Sequence, residues 1–328
     1  MTQTLRWGVL GAARFALNQM APAIHAARGA ELLAIATSSQ EKAAPFEAFA
    51  PGLKVHLDYD ALLADPSVDA VYIPLPNALH VDWTLKALAA GKHVLCEKPL
   101  GLKAEDFDRV IAARDETGLM AAEAFMITHH PQWARVRQLL AEGALGELRH
   151  VEAVFCFKND DMTNIRNRAE VGGGALPDVG VYVMGSIRFA TGQEPEAITH
   201  ADLDWEAGVD TYAHVAARFP GFRYSGLVST RLDNRQGVVF HGTEGRLTMT
   251  TPFTANAAGL AEIVLDRTGQ PQQRESWPGL NQYVLQVEAF CRSVREGAPY
   301  ACPLEFSRGT QAMIDAVYAA AGRGNGAG

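Results

Sequence analysis

Up to residue 124, short, mostly apolar β-rich runs alternate with segments whose apolar residues recur at helical spacing. Residues 7–10, 31–36, 70–73, 93–96 and 120–124 read as strands. Residues 15–27, 42–49, 80–90 and 104–117 read as helices. A strand with little polar alternation has no solvent face, so such a sheet must be covered on both sides. Strand and helix in regular succession therefore predict a parallel, doubly wound sheet.

Beyond residue 124 the rhythm changes. A helix over 132–142 is followed by alternating stretches at 148–157, 197–205, 211–219, 222–231, 237–241, 246–250 and 262–266. Turns at Pro220-Gly221 and at 242–245 separate some of them, as expected of antiparallel strands. Two helices, 282–296 and 304–321, close the chain. The fold class is thus α/β followed by α+β. Residues 1–124 form a dinucleotide-binding domain, and residues 125–328 form a substrate-binding and oligomerisation domain on a large open, mainly antiparallel sheet. The last helix has the option of packing back on the first domain. A length of 328 residues suits two domains.

With 48% hydrophobic and 20% charged residues, a disordered chain is excluded. The net charge of −8 and the lack of any basic block argue against nucleic acid as a partner. Cys96, Cys156, Cys291 and Cys302 have no paired spacing, so no metal site is expected and the thiols read as reduced packing residues of a cytoplasmic protein. The first strand begins too close to Met1 for a signal peptide, and no apolar run is long enough for a membrane span. The glycine-rich tail, 322–328, is expected to fray.

The turn after the first strand, Gly11, Ala12, Ala13, Arg14 and Phe15, opens the first helix, where backbone N–H groups can bind a pyrophosphate. Alanines at 13 and 16 stand where glycines are usual, and the Ala13 methyl crowds the phosphate approach. After the second strand come Thr37, Ser38, Ser39 and Lys42, where an NAD site usually carries an acid. Hydroxyls and a lysine suit a 2′-phosphate, so NADP is favoured, with NAD possible. A polar loop that only caps the next helix has the same composition. Pro74, Leu75, Asn77 and His80 follow a third strand, and Glu97, Lys98 and Pro99 a fourth. Ligands of such sheets lie beyond the carboxyl ends of the strands.

Residues 172–182 bring three glycines, Pro177 at a first helical turn, and then Asp178 and Tyr182, four residues apart on one face. A glycine loop that delivers an acid and a phenol reads as one wall of an active site. A helix start whose Asp only complements the dipole looks the same. Arg166 and Arg168, just upstream, suit substrate hydroxyls or the cofactor, or surface ion pairs. Trp133, Trp205 and Trp277 suit sugar stacking or core packing.

Glu97-Lys98-Pro99, Glu123-Ala124-Phe125-Met126 with His129-His130-Pro131-Gln132, and the 172–182 stretch, in this order, resemble the glucose–fructose oxidoreductase / inositol dehydrogenase / MocA family over essentially the whole chain. The Asp178 and Tyr182 pairing is similar to the branch with glucose–fructose oxidoreductase, NADP xylose dehydrogenases and dimeric dihydrodiol dehydrogenase. The resemblance implies a Rossmann domain and an NAD(P)-dependent oxidoreductase acting on CH–OH groups of a sugar or cyclic polyol. It implies catalytic Lys98, Asp178 and Tyr182, and substrate contacts from Phe125, Met126, His130 and Arg166. Valines and phenylalanines alternating with polar residues along the second domain's strands would leave a broad apolar face bare, which suggests a homodimer built sheet to sheet or a homotetramer. Ile127-Thr128 departs from the Tyr-Arg pair frequent in that branch, which bears on the substrate more than on the reaction.

In this reading Tyr182 moves the hydroxyl proton, and Lys98, brought beside it, favours the phenolate. Alternatives are an aldose–aldose oxidoreductase that keeps its NADP, a trans-dihydrodiol dehydrogenase, and a non-catalytic nucleotide-binding regulator.

Overall fold

The computed structural model describes residues 4–255 and 257–322, so all of the expected frayed tail except Gly322 lies outside the described residues. The chain divides into two compact units. One comprises Met1–Gly101, Glu105–Met126 and Asn281–Arg308, and the other Leu102–Ala104, Ile127–Leu280 and Gly309–Gly328.

The first unit is built on six parallel strands, β1 (Leu5–Leu10), β2 (Ala30–Ala36), β3 (Lys54–His56), β4 (Ala70–Ile73), β5 (His93–Cys96) and β6 (Ala121–Glu123), in the order β3-β2-β1-β4-β5-β6. Its helices are α1 (Ala21–Ala26), preceded by a π-helical turn Ala16–Met20, then α2 (Gln40–Phe49), α3 (Tyr59–Ala64), α4 (His80–Ala89) and most of α5 (Ala104–Thr117). Successive side chains of a strand point to opposite faces, and both faces here are buried. Trp7, Val9, Ile35, Tyr72 and Leu95 enter one apolar cluster, while Leu10, Ala34, Val71, Ile73 and Val94 enter another. The absence of polar alternation in these strands is explained by that double cover. Helix α8 (Gln282–Glu296) completes the first cluster with Val287, Phe290 and Cys291, and the Phe290 ring lies 5.0 Å from Trp7.

The second unit holds α6 (Pro131–Ala141), α7 (Val181–Thr191), preceded by a π-helical turn Leu176–Gly180, and the main length of the last helix, α9 (Leu304–Ala320). Its sheet has eight strands: β7 (Leu148–Lys158), β8 (Ala197–Glu206), β9 (Val209–Phe219), β10 (Phe222–Ser229), β11 (Arg231–Gly242), β12 (Gly245–Met249), β13 (Glu262–Arg267) and β14 (Gln273–Ser276). They lie in the order β14-β13-β12-β11-β7-β10-β9-β8. Every pairing is antiparallel except β7 with β10. Helix α7 is buried from Val181 to Ala190 against the inner face, where the Tyr224 hydroxyl donates to the Val183 carbonyl (3.1 Å). Ala216, Leu227, Val239 and Val264 stand half-exposed on the other face. No helix of the described residues is long and apolar enough to cross a membrane.

Candidate functional site

In the first unit the Gly11 N–H donates to the Ala36 carbonyl (2.8 Å), joining the ends of β1 and β2. Ala12 and Ala13 pack against the core, and the Ala13 carbonyl accepts from the Leu17 N–H (3.0 Å). Arg14 and Phe15 are left exposed. The Phe15 ring meets Tyr283 of α8 edge-on at 5.6 Å. Beyond β2, Thr37 is buried and its N–H donates to the His56 carbonyl (3.0 Å). Its side chain faces inward, so the polar lip consists of Ser38, Ser39 and Lys42. Lys42 Nζ donates to Ser38 Oγ (2.9 Å), and the Ser39 hydroxyl holds the exposed Glu41 carboxyl below its usual range.

Pro74 and Leu75 are buried beyond β4, and Asn77 opens a short 3-10 turn, Asn77–Leu79. His80 has no exposed surface. Its Nδ1 lies 2.8 Å from the Pro99 carbonyl and its Nε2 2.7 Å from the Leu75 carbonyl. Burial pushes the imidazole pKa down against the pull of the two carbonyls. Both ring nitrogens are engaged with backbone, and His80 ties the β4 loop to the β5 loop.

Beyond β5, the Tyr72 hydroxyl donates to Glu97 Oε1 (2.6 Å) and the Lys98 N–H to Glu97 Oε2 (3.3 Å). Glu97 keeps some accessible surface, yet its carboxyl is closely surrounded by protein. That burial pushes its pKa up to about 6 against the opposing effects of Tyr72 and Lys98. Glu123, at the end of β6, accepts from the Leu100 N–H (2.8 Å), and burial raises its carboxyl too. The half-buried Lys98 acts electrostatically on Glu97, Glu123 and His80. Phe125 and Met126 are buried, and Phe125 stacks on Phe306 at 6.4 Å.

In the second unit the glycine loop is shaped by contact. A Cβ on Gly173 would come within 2.6 Å of the Arg166 carbonyl and 2.7 Å of the Ile165 carbonyl. The Gly174 N–H donates to that same Arg166 carbonyl (2.9 Å). Backbone packing here sets Arg166 so that its Nε donates to Asp178 Oδ2 at 2.6 Å. Asp178 is 9% exposed, while the Arg166 side chain is 40% exposed, so the pair opens to solvent on the arginine side. Arg168 pairs instead with Glu170. Four residues past Asp178, the Tyr182 ring packs against Phe155 (5.6 Å) and Phe253 (5.7 Å), which are stacked on each other at 5.1 Å, and is 7% exposed.

His130 caps α6, with Nδ1 accepting from the Gln132 N–H (3.2 Å), and burial lowers its pKa to about 4. It is 1% exposed. Trp133 is fully buried with Nε1 donating to the Pro252 carbonyl (3.0 Å), Trp205 lies 5.9 Å from Tyr318, and Trp277 meets the edge of His130 at 6.3 Å.

Sequence reasoning missed Tyr72, Tyr283 and Asp210. A hydroxyl inside an apolar strand must find a partner, which was the available signal for Tyr72. Tyr283 was assigned with its helix to the other domain, and Asp210 gave no local sign.

Two family models match this chain. Residues 5–125 match the GFO/IDH/MocA model described as an oxidoreductase family with an NAD-binding Rossmann fold, and residues 133–248 match the GFO/IDH/MocA C-terminal domain. The dTDP-3,4-didehydro-2,6-dideoxy-alpha-D-glucose 3-reductase of Streptomyces violaceoruber is 38% identical over 89% of this chain and 86% of its own. This chain belongs to the GFO/IDH/MocA oxidoreductase family. Another member, the D-xylose 1-dehydrogenase (NADP(+)) 2 of Haloferax volcanii, is 32% identical over 98% of both chains. Among solved structures, the 3-ketoreductase KijD10 of Actinomadura kijaniata, in complex with NADP and TDP-benzene, has a TM-score of 0.89 at 32% identity, covering 97% of this chain and 98% of that one. The family and its two-sheet fold agree with the resemblance carried by the sequence blocks.

Proposed function

We propose that this chain catalyses NADP-dependent hydride transfer between nicotinamide and a CH–OH or C=O carbon of a sugar, with Tyr182 as acid–base group and Lys98 assisting it. The single observation carrying the reading is the pairing of Asp178, clamped by Arg166, with Tyr182 one helical turn on, in a member of an oxidoreductase family. The turn after β1 and the Ser38–Lys42 lip fit a dinucleotide with a 2′-phosphate, since the lysine already reaches the serine hydroxyl on an exposed surface. NADP supplies the hydride chemistry when bound. Tyr182 takes or returns the hydroxyl proton, Asp178 accepts a hydrogen bond from a substrate hydroxyl, and Arg166 keeps Asp178 aimed.

Residues 1–124 serve the cofactor and the eight-stranded unit serves the substrate, in a reducing cytoplasm suited to four buried free thiols. The substrate is an aldose such as xylose or glucose, or a related cyclic polyol. A nucleotide-linked keto-sugar is the second reading, supported by the dTDP-sugar reductase and the TDP-bound 3-ketoreductase among the relatives. A parallel screen of aldoses, polyols and dTDP-linked keto-sugars, following NADPH and NADH absorbance, separates the two. Inactivity on every member of all three classes would remove the reading. Tight retention of nucleotide through purification would instead point to aldose–aldose exchange.

Lys42→Ala is expected to raise the Kd for NADPH about ten-fold or more, the worth of a charged hydrogen bond, and to leave NADH nearly unchanged. Equal effects on both nucleotides in a fluorescence titration would take Lys42 away from the 2′-phosphate. The half-exposed apolar residues on the outer face of the sheet support a homo-oligomer built sheet to sheet. Light scattering after size exclusion should then give at least twice the mass of one chain, and a monomer at micromolar concentration would contradict it.

A further inference from the structure

The helical turn carrying Asp178 and Tyr182 begins at Gly174, whose φ is +132°, in the region that favours glycine. A Cβ there would come within 3.0 Å of Pro177 Cδ and would run into Asp210 Oδ1. Asp210 lies 34 residues beyond Leu176, beside the first residue of β9, and is 1% exposed. Its Oδ2 accepts from the Leu176 N–H at 2.7 Å, and the Ala175 N–H also donates to the carboxyl. Its Oδ1 accepts from the Tyr318 hydroxyl of α9 at 2.7 Å. Tyr318 packs against the Trp205 ring of β8 and feels Asp315 on its own helix. The carboxyl therefore meets the first N–H groups of the π-helical turn Leu176–Gly180, where the helix dipole favours negative charge.

These partners are uncharged donors, and burial pushes the Asp210 carboxyl up to about 6. A carboxyl whose folded pKa is raised contributes stability at acid pH that is lost as pH rises from about 4 to about 6. Near neutrality the ionised group therefore costs stability. An asparagine would meet the same two sides, accepting from Leu176 and donating to the Tyr318 oxygen, without that cost. The carboxylate offers shorter, charge-assisted bonds to the turn.

We propose that Asp210, held by Tyr318, is the positioning residue for the reactive turn, fixing the N–H groups of Ala175 and Leu176 and so the directions in which Asp178 and Tyr182 point. The proposal rests on the role assigned to Tyr182 above. The test compares Asp210→Asn, Asp210→Ala and Tyr318→Phe with the parent, reading kcat and KM separately, NADPH affinity, and the thermal midpoint at about pH 4.5 and about pH 8. Asp210→Asn should be more thermostable than the parent, with a larger gain at about pH 8 than at about pH 4.5, because it removes the buried charge. Its kcat should nevertheless fall by about three- to ten-fold, while NADPH affinity stays within about two-fold. Asp210→Ala should lose about 100-fold in kcat, the scale of a reacting group displaced by about 1 Å. If Asp210→Ala does not fold, Asp210→Asn and Tyr318→Phe decide.

Wild-type kcat in Asp210→Asn and Tyr318→Phe would overturn the proposal and leave Asp210 a helix cap. A lower midpoint at about pH 8 for Asp210→Asn would overturn it as well. Tyr182→Phe keeps the two levels apart. Loss of activity there with unaffected Asp210 variants sinks only this inference, whereas full activity there sinks the reading on which it rests.

Discussion

Tyr182→Phe should lower kcat by about 10²–10⁴, the usual contribution of a positioned acid–base group, and leave NADPH affinity nearly intact. The expectation follows from how the ring is held. It packs at 5.6 and 5.7 Å against the stacked Phe155 and Phe253, so loss of the hydroxyl leaves a phenyl of the same shape in the same aromatic cluster. Stability should therefore change little, and the lost rate is attributable to the missing proton carrier. Stopped-flow single turnovers with bound NADPH measure the chemical step directly. A variant as fast as the parent would take Tyr182 out of the mechanism, whatever its neighbours.

Lys98→Ala should be at least as damaging, and the shape of its pH profile carries the diagnosis. A cation within roughly 4–6 Å favours a phenolate. Without the ammonium, the residual activity should rise with pH into the range where an unassisted tyrosine ionises, near about 10. Lys98→Arg keeps the charge and should retain the parent profile at a reduced rate. Lys98→Ala also bears on the acidic side of the profile. Glu97 titrates at about 6 with Lys98 opposing the upward push of burial, so removal of the ammonium should raise that carboxyl further. An unshifted profile with a lower plateau would mean that Lys98 only positions ligands.

Much of this was legible in the residues because it is local. The strands at β1, β2, β4, β5 and β6 are runs of apolar residues buried on both sides, and that requirement is written directly into composition. The three-residue β3, the six-residue α3 and the four-residue β14 leave no mark in the sequence because none is long enough to display a period. The lysine at the end of β5 and the Asp178 to Tyr182 spacing were visible as strand-end and helix-face patterns. What could not be read is long-range. Arg166 finds Asp178 only because the loop folds back through Gly173. Asp210 meets Leu176 across 34 residues and Tyr318 across 108. His80 and His130 look like ligands in a one-dimensional string, and only burial reveals that the first bridges two carbonyls and the second caps a helix.

All four thiols of this chain, Cys96, Cys156, Cys291 and Cys302, are enclosed, and burial pushes the first three above the ordinary thiol range. An aromatic disulfide reagent attacks only a thiolate it can reach, so the native protein should stay colourless with it and yield colour as the chain opens. Cys96 and Cys291 lie in the parallel-sheet unit, and Cys156 lies in the eight-stranded one. Single-cysteine versions would therefore time the opening of each half separately, turning an incidental feature of packing into a built-in clock for which half yields first.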